Sequence, residues 1–281
     1  MADRGPAGLL RMMLRALTYA ILSFGSIITI FPFVWMLSTS LKSAREATAP
    51  ALTLIPDAWR WRNFADAFQA APFATYFYNT FIVAGTVMAA VVVTSLLAGY
   101  ALSRLQFRGR GVVFAFLLAT MMVPFEVTLI PNFLLIRDLG WYNTYAALIV
   151  PWCANAFSIF LVRQAFLTLP MDFFEAARVD GCGHLRFLTW IAAPLIRPTM
   201  VTIALFAFLG SYNSLLWPII VTNDENMRLI QYGLTVFWSE AGVQLNLLMC
   251  ASTIVIVPTV ALYFAAQRNF LESSLNAGIK G

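Results

Sequence analysis

Few side chains in this sequence have the types and spacing that catalysis or metal binding requires. The cysteines Cys153, Cys182 and Cys250 lack metal or redox spacing, and the only histidine, His184, cannot form a metal site alone. No serine or cysteine has a histidine partner in a plausible motif, and no phosphate-binding G-x-x-x-x-G-K-[ST] loop is present. We therefore expect no catalytic residue, no metal and no ATP hydrolysis by the chain itself, which disfavours a membrane-embedded enzyme.

Glu126 is the one clear ionisable residue inside a long apolar run, in the stretch MMVPFEVTLIP. An ionisable residue at membrane depth is by default a functional hypothesis, and the flanking Pro124 and Pro131 predict a kinked or broken helix there. The alternative to a functional role for Glu126 is a structural contact to a neighbouring helix or a partner subunit. For the asparagines, the alternative is hydrogen bonding between helices. Candidates for a translocation path are Glu126, Asn79, Tyr212 and Asn213, with Asn155 a further polar residue in an apolar run.

Residues 173–194, FFEAARVDGCGHLRFLTWIAAP, form a polar insert between apolar runs. Pro170 favours a helix start, and Asp180-Gly181 predicts its end, because glycine readily takes a left-handed conformation there. A second helix should follow, with Leu185, Leu188 and Ala192 on one stripe. These residues alone favour equally a helix pair in lipid headgroups and a docking element for a soluble protein.

The composition indicates an all-α membrane protein. Of 281 residues, 60% are hydrophobic and 11% charged, with mean hydropathy +0.78, whereas soluble domains have about 25% charged residues. A spanning helix needs about 20 mostly apolar residues. We predict one transmembrane domain over 1–281 with six spans, near 16–38, 77–101, 111–135, 144–164, 198–221 and 247–267, and a short helix near 63–70.

The basic residues predict the orientation, since cytoplasmic segments are enriched in Lys and Arg. The net charge of +5 therefore does not indicate nucleic-acid binding. Of the 18 basic residues, twelve lie in the two termini, the 104–110 connection and 163–197, and six lie in the other connections. The segments with twelve are therefore predicted to be cytoplasmic. The twelve are Arg4, Arg11, Arg15, Arg104, Arg108, Arg110, Arg163, Arg178, Arg186, Arg197, Arg268 and Lys280; the six are Lys42, Arg45, Arg60, Arg62, Arg137 and Arg228.

The polar insert resembles the EAA loop of the membrane subunits of bacterial ABC importers. That pattern is EAA, three residues, glycine, nine residues and I-x-L-P, and Ala193 here replaces its leucine. In the family this loop is the coupling helix between helices 4 and 5, which seats in a cleft of the ATP-hydrolysing subunit. The resemblance implies that the loop 166–197 couples to an ATPase through Glu175, Ala176, Ala177, Asp180, Gly181, Ile191 and Pro194.

Three further stretches resemble the carbohydrate branch, and within it the smaller, maltose-type permease of the pair. They are YALSRLQFRGR (100–110), SYNSLLWPII (211–220) and NAGIKG (276–281); Tyr212 and Ser214 depart from the family's tryptophan and aspartate. The resemblance implies a bacterial or archaeal cytoplasmic (inner) membrane location and import of a sugar, polyol or oligosaccharide. The implied partners are a second permease, two ATPase subunits that use ATP-Mg, and an extracytoplasmic solute-binding protein, with no cofactor bound by this chain.

The outer segment 223–248 is expected to contact that binding protein, with Gly233 and Gly242 as flexible points. The competing hypothesis is an ion-coupled secondary transporter that works without an ATPase. Such a protein would need several buried carboxylates or an ion site, and the apolar runs offer only Glu126.

Overall fold

A computed structural model of the chain describes residues 6–239 and 242–278. The chain divides into two compact units, residues 1–71 with 236–256 and residues 72–235 with 257–281. Nearly all of the described secondary structure is helical. Long helices suit this sequence because a helix satisfies its own backbone polar groups, which lipid cannot do.

The first unit is built on a long apolar helix. Within it, hydroxyl side chains such as Thr18 and Ser26 donate to carbonyls four residues earlier, so they are satisfied without water. Asn63 donates to the carbonyls of Ser40 and Lys42, at 2.8 Å each, and fastens the helix predicted near 63–70 to the end of α1. The elements are α1 (Pro6–Ser40), α2 (Ala44–Ala47), α3 (Arg62–Gln69), the antiparallel strands β1 (Trp238–Ser239) and β2 (Gly242–Val243), and the start of α15 (Leu245–Gly278).

The second unit is arranged around one helix that packs against two others. Helix α4 lies against α8 and α12, and Gly99 of α4 lets the helices approach so closely that an added Cβ would lie 2.7 Å from Val162 Cγ1. Small residues at helix contacts are typical of membrane proteins. The elements are α4 (Phe73–Arg104), α5 (Arg110–Thr120), α6 (Phe125–Asp138), α7 (Tyr145–Ile149), α8 (Ala156–Thr168), α9 (Met171–Val179), α10 (His184–Phe187), α11 (Ala193–Leu195), α12 (Arg197–Tyr212), α13 (Leu216–Val221) and α14 (Ile230–Thr235). Short 3-10 turns cover Val150–Trp152 and Glu225–Met227, and a π turn covers Leu188–Ala192.

Four helical segments in the described residues are long and apolar enough to span a membrane: Leu10–Ser40, Phe73–Arg104, Tyr145–Thr168 and Leu245–Gln267. Up to six spans result if two bent pairs are each counted as one, Arg110–Thr120 with Phe125–Asp138, bent by 99°, and His184–Leu195 with Arg197–Tyr212, bent by 86°. The all-α membrane class is confirmed, whereas the count of six and the cytoplasmic termini stay predictions.

Three of the predicted spans are interrupted: 111–135, 198–221 and, at the 3-10 turn and bend of residues 150–155, 144–164. In the run 111–135 the break lies at Pro124, which precedes α6, while Pro131 lies inside a helix that continues to Asp138. The run 198–221 was predicted as one span, but α12 ends at Tyr212 and α13 begins at Leu216. The second break was not foreseen, because no proline or glycine lies at residues 213–215.

Candidate functional site: a surface turn and a cavity at three helix breaks

Residues 171–195, here called the turn element, form the predicted helix, sharp turn and second helix. Helix α9 follows Pro170 and ends at Asp180. Gly181 then adopts a φ of +72°, the left-handed conformation expected of it. The Cys182 N–H donates to the Ala177 carbonyl at 2.8 Å, which satisfies one of the last carbonyls of the helix.

The buried face of the turn element differs from the predicted one. Ala177 is buried in a cluster with Phe187 and Leu188, so it cannot form a partner surface with Ala176. Its small side chain instead brings α9 close to the rest of the turn element. Leu185 is exposed rather than packed beside Leu188, and Phe187 of the same helix is buried in its place.

The outer face of the turn element combines charged and apolar side chains. Glu175 and Ala176 are exposed, Ile191 is half-buried and Pro194 is exposed. Val179 is 88% exposed and Leu185 is 70% exposed, on either side of the Gly181 turn. Apolar groups left open beside charges are typical of a protein contact surface.

A cavity of about 530 Å³ lies within the second unit, where three helix breaks meet. These breaks are residues 121–124, 150–155 and 213–215, and residues in or beside each one line the cavity. Interrupted helices at membrane depth occur where the backbone is buried in protein or lines a cavity. The lining includes Val83, Val87 and Val91 of α4, the rings of Phe125, Trp152, Phe157 and Trp217, and the polar residues Glu126, Asn155, Ser158, Ser211 and Ser214.

Side chains support the backbone around the cavity. Thr94 of α4 donates to the Cys153 carbonyl at 2.8 Å, inside the break at 150–155. Asn155 caps α8 by accepting from the Ser158 N–H at 2.9 Å, and buried Trp217 donates from Nε1 to the Ala147 carbonyl at 2.9 Å. The break at 150–155 is therefore held by specific hydrogen bonds, and α13 is joined to α7.

Glu126 lies in the first turn of α6 and lines the cavity. The N-terminal end of a helix favours a negative charge, so the fold offers this carboxylate a polar setting. Glu126 forms no ion pair with any residue in the described ranges, and the cavity lining contains no Lys, Arg or His from those ranges. Glu126 is thus the only acidic residue in the cavity lining of the described part of the chain.

The structure places the other predicted path residues outside the cavity lining. Asn79 is buried and fully engaged: its amide donates to the carbonyls of Asn226 and Arg228 at 2.7 and 3.0 Å, and its oxygen accepts from the Tyr145 hydroxyl at 2.6 Å. It thus holds a loop to α4, and its assignment to the path stays a prediction.

Tyr212 and Asn213 are likewise absent from the cavity lining. Tyr212 is buried and stacks on Phe208 at a centroid distance of 5.7 Å. Asn213 is exposed and accepts from Gln231 at 3.2 Å. Sequence reasoning missed the neighbouring Ser211 and Ser214, which line the cavity from the end of α12 and from the break that follows it.

The described residues of the outer segment 223–248 include short helical turns and a strand pair. Gly233 packs so tightly that an added Cβ would lie 2.8 Å from Phe73 Cε1, so its role is close packing and the prediction of a flexible point was wrong. Gly242 has a φ of +120° at the start of β2. Residues 240–241 of this segment, and residues 279–281 of the C-terminal stretch, lie outside the described residues.

A family model described as the binding-protein-dependent transport system inner membrane component matches residues 90–271, more than half of the chain. The chain belongs to this family. As an inner membrane component of such a system it is a multi-pass membrane protein without catalytic activity of its own. The dependence on a binding protein sets aside the secondary transporter that would work alone.

Relatives of this inner membrane component match along nearly its whole length. The permease protein NgcG of a diacetylchitobiose uptake system from Streptomyces coelicolor is 31% identical over 262 residues, 92% of this chain and 86% of the relative. The sn-glycerol-3-phosphate permease protein UgpE of Rhizobium meliloti is 32% identical, over 90% of this chain and 93% of the relative. The arabinooligosaccharide permease protein AraQ of Halalkalibacterium halodurans is 31% identical, over 92% and 94%.

A solved structure supports the fold of this inner membrane component. A bacterial ABC transporter involved in the import of the acidic polysaccharide alginate aligns with a TM-score of 0.81 at 23% identity, covering 95% of this chain and 99% of that one. At this identity the likeness shows the fold alone.

Proposed function

We propose that this chain is a permease subunit of an ATP-driven ABC importer for a sugar or a related polyol or oligosaccharide. It pairs with a second permease and with two ATPase subunits, which bind and use ATP-Mg, and it receives cargo from an extracytoplasmic solute-binding protein. The chain itself binds no cofactor. The observation that carries this proposal is the turn element, a rigid surface structure without a catalytic group, in a chain whose family works with a binding protein.

The turn element supports coupling to an ATPase. Gly181 fixes its shape, and the exposed Glu175 and Ala176 match the coupling pattern of ABC importers. The charge of Glu175 can fix the alignment of the turn element on the ATPase, and the exposed Val179 and Leu185 offer apolar contact. Ala177 stabilises the element from within rather than touching the ATPase.

The cavity supports a hydroxyl-rich cargo. The cargoes in the names of the three relatives all carry hydroxyl groups. In this chain the cavity combines aromatic faces, such as Trp152 and Trp217, with Asn155 and with the hydroxyls of Ser211 and Ser214. Flat apolar faces with a few placed polar groups are the usual make-up of a small-molecule site.

The exposed parts of 223–248 are suited to contact the binding protein. Phe237 is buried, while the neighbouring Trp238 at the start of β1 is 66% exposed. An exposed indole on a supported hairpin is a suitable anchor for a partner.

Reconstitution of the whole complex tests the proposed function. The chain would be purified from its own membranes with the ATPase and second permease, then placed in vesicles with the loaded binding protein. We expect ATP hydrolysis to rise with loaded binding protein and labelled sugar to enter only when ATP is present. Glu175→Ala should preserve assembly but lower uptake per ATP hydrolysed. Uptake by this chain without any ATPase would contradict the proposal.

A further inference from the structure

The cytoplasmic end predicted for α4 is bonded to the turn element. Tyr100 lies near the end of α4, only 4% exposed, and its hydroxyl is 2.8 Å from His184 Nδ1. His184 is the first residue of α10, directly after the Gly181 turn. Because a phenol can donate to an imidazole nitrogen or accept from an imidazole N–H, this bond can form with either tautomer.

Aromatic rings make this contact a shared cluster. The Tyr100 ring lies 5.8 Å from the Phe166 ring and 6.2 Å from the Phe187 ring. Phe174 of α9 stacks on His184 at 5.9 Å. Both helices of the turn element therefore contact the group that holds Tyr100, and close-packed side chains transmit displacement.

Nearby contacts fasten the chain before the Gly181 turn rather than the turn itself, among them one from Arg104 Nη1 to Met171 Sδ at the start of the turn element. Arg104, the last residue of α4, donates to the Leu169 carbonyl at 2.7 Å. Arg163 of α8 donates to the Leu102 carbonyl at 3.1 Å. These bonds fix the base, so the Tyr100–His184 bond adds a link beyond the Gly181 turn.

The opposite end of α4 holds the segment 226–230. Asn79 donates to the carbonyls of Asn226 and Arg228, and the Thr80 hydroxyl accepts from the Ile230 N–H at 2.8 Å. Between Asn79 and Tyr100 the helix has no break and rises roughly 30 Å at about 1.5 Å per residue. Its middle turns form one wall of the cavity.

We propose that the Tyr100–His184 contact makes the turn element and α4 move together, so that α4 conveys ATPase motion to the cavity and to segment 226–230. Tyr100 is thus a positioning residue, acting through His184. The inference rests on the proposed function and adds to it a specific route. The unbroken α4 suits this role better than α12, which stops at Tyr212 beside the break at 213–215.

The test is Tyr100→Phe in the complete reconstituted complex, which removes the hydroxyl and keeps the ring. We expect unchanged amounts of bound ATPase and unchanged basal hydrolysis. Uptake per ATP hydrolysed should fall roughly 2- to 10-fold, the range set by the net contribution of one hydrogen bond. The matched control is Tyr263→Phe, because Tyr263 lies exposed on α15 and should leave the ratio unchanged.

A double-mutant cycle ties the effect to the pair. His184→Phe should lower uptake per ATP hydrolysed as much as Tyr100→Phe does, and the double variant should lower it no further. His184→Gln keeps a hydrogen-bonding group and should restore part of the lost uptake per ATP. Additive losses, or a wild-type ratio for Tyr100→Phe, would overturn the proposal. Reduced ATPase binding by Tyr100→Phe would overturn it too, since the contact would then serve docking. A wild-type complex without ATP-dependent uptake would instead remove the proposed function and this inference with it.

Discussion

At Gly181 the backbone has a φ of +72°, where any residue with a Cβ is strained. Gly181→Ser should therefore cost about 1–2 kcal/mol in the turn and reduce the ATPase that co-purifies. Gly183→Ser is the matched control, because Gly183 has a φ of −73°, has space for a Cβ and is the N-cap of α10, a position that favours serine. Equal ATPase recovery for the two variants, measured by quantitative pull-down, would contradict the role of the turn.

Glu126 is the second residue-scale test, since it places a carboxylate in the cavity at the start of α6. Glu126→Gln should preserve assembly and lower uptake, and Glu126→Leu should lower it roughly tenfold, because hydrogen bonds to charged groups contribute about 1.5–3 kcal/mol. Val127→Leu is the control, because Val127 is exposed next to Glu126 and does not line the cavity. Unchanged uptake by Glu126→Leu in vesicles would place the cargo route elsewhere.

Between elements, the close contact of α4 with α8 depends on Gly99. In Gly99→Ala the new Cβ would lie 2.7 Å from Val162 Cγ1 and 3.1 Å from the Arg163 backbone nitrogen. Because backbone must move, we expect a loss of about 1–3 kcal/mol in the free energy of unfolding. Gly85→Ala, on the same helix with nothing within 4 Å, should gain about 0.5–1 kcal/mol. The measurement is thermal unfolding of both variants in detergent. Equal shifts of the two unfolding midpoints would show that Gly99 is not a packing position.

The elements also show how far sequence reasoning reached. The turn element was predictable, because Pro170, Asp180 and Gly181 specify a start and a stop through local backbone chemistry. The break at 213–215 was not, because it depends on distant contacts such as the bond from Trp217 to the Ala147 carbonyl.

Among the site residues, Glu126 was found because a charge in an apolar run is conspicuous. The role of Asn79 was missed, since its partners Asn226 and Arg228 lie about half the chain away in sequence. The inward face of Ala177 was missed for a similar reason, because its burial depends on Phe187 and Leu188, which pack against it from beyond the Gly181 turn. Local chemistry was readable, and contacts between distant segments were not.

For the whole molecule, the predicted orientation places the turn element in the cytoplasm, and Cys182 provides a natural probe. Cys182 is partly exposed on the turn element, while Cys153 and Cys250 lie within apolar segments. With Cys153 and Cys250 changed to serine, a membrane-impermeant maleimide should label inverted vesicles and leave intact spheroplasts unlabelled. Labelling of intact spheroplasts would show that the orientation predicted from the basic residues is wrong.

The three helix breaks around the cavity also have a consequence for deuterium exchange. Amides in unbroken helices surrounded by lipid meet little water, whereas interrupted backbone beside a cavity opens more readily. In nanodiscs, peptides covering 121–124, 150–155 and 213–215 should therefore take up deuterium early, while the middle of α4 stays protonated for longest. Saturating sugar should slow deuterium uptake at all three breaks together. The pattern of deuterium labelling alone would then outline the path of the cargo.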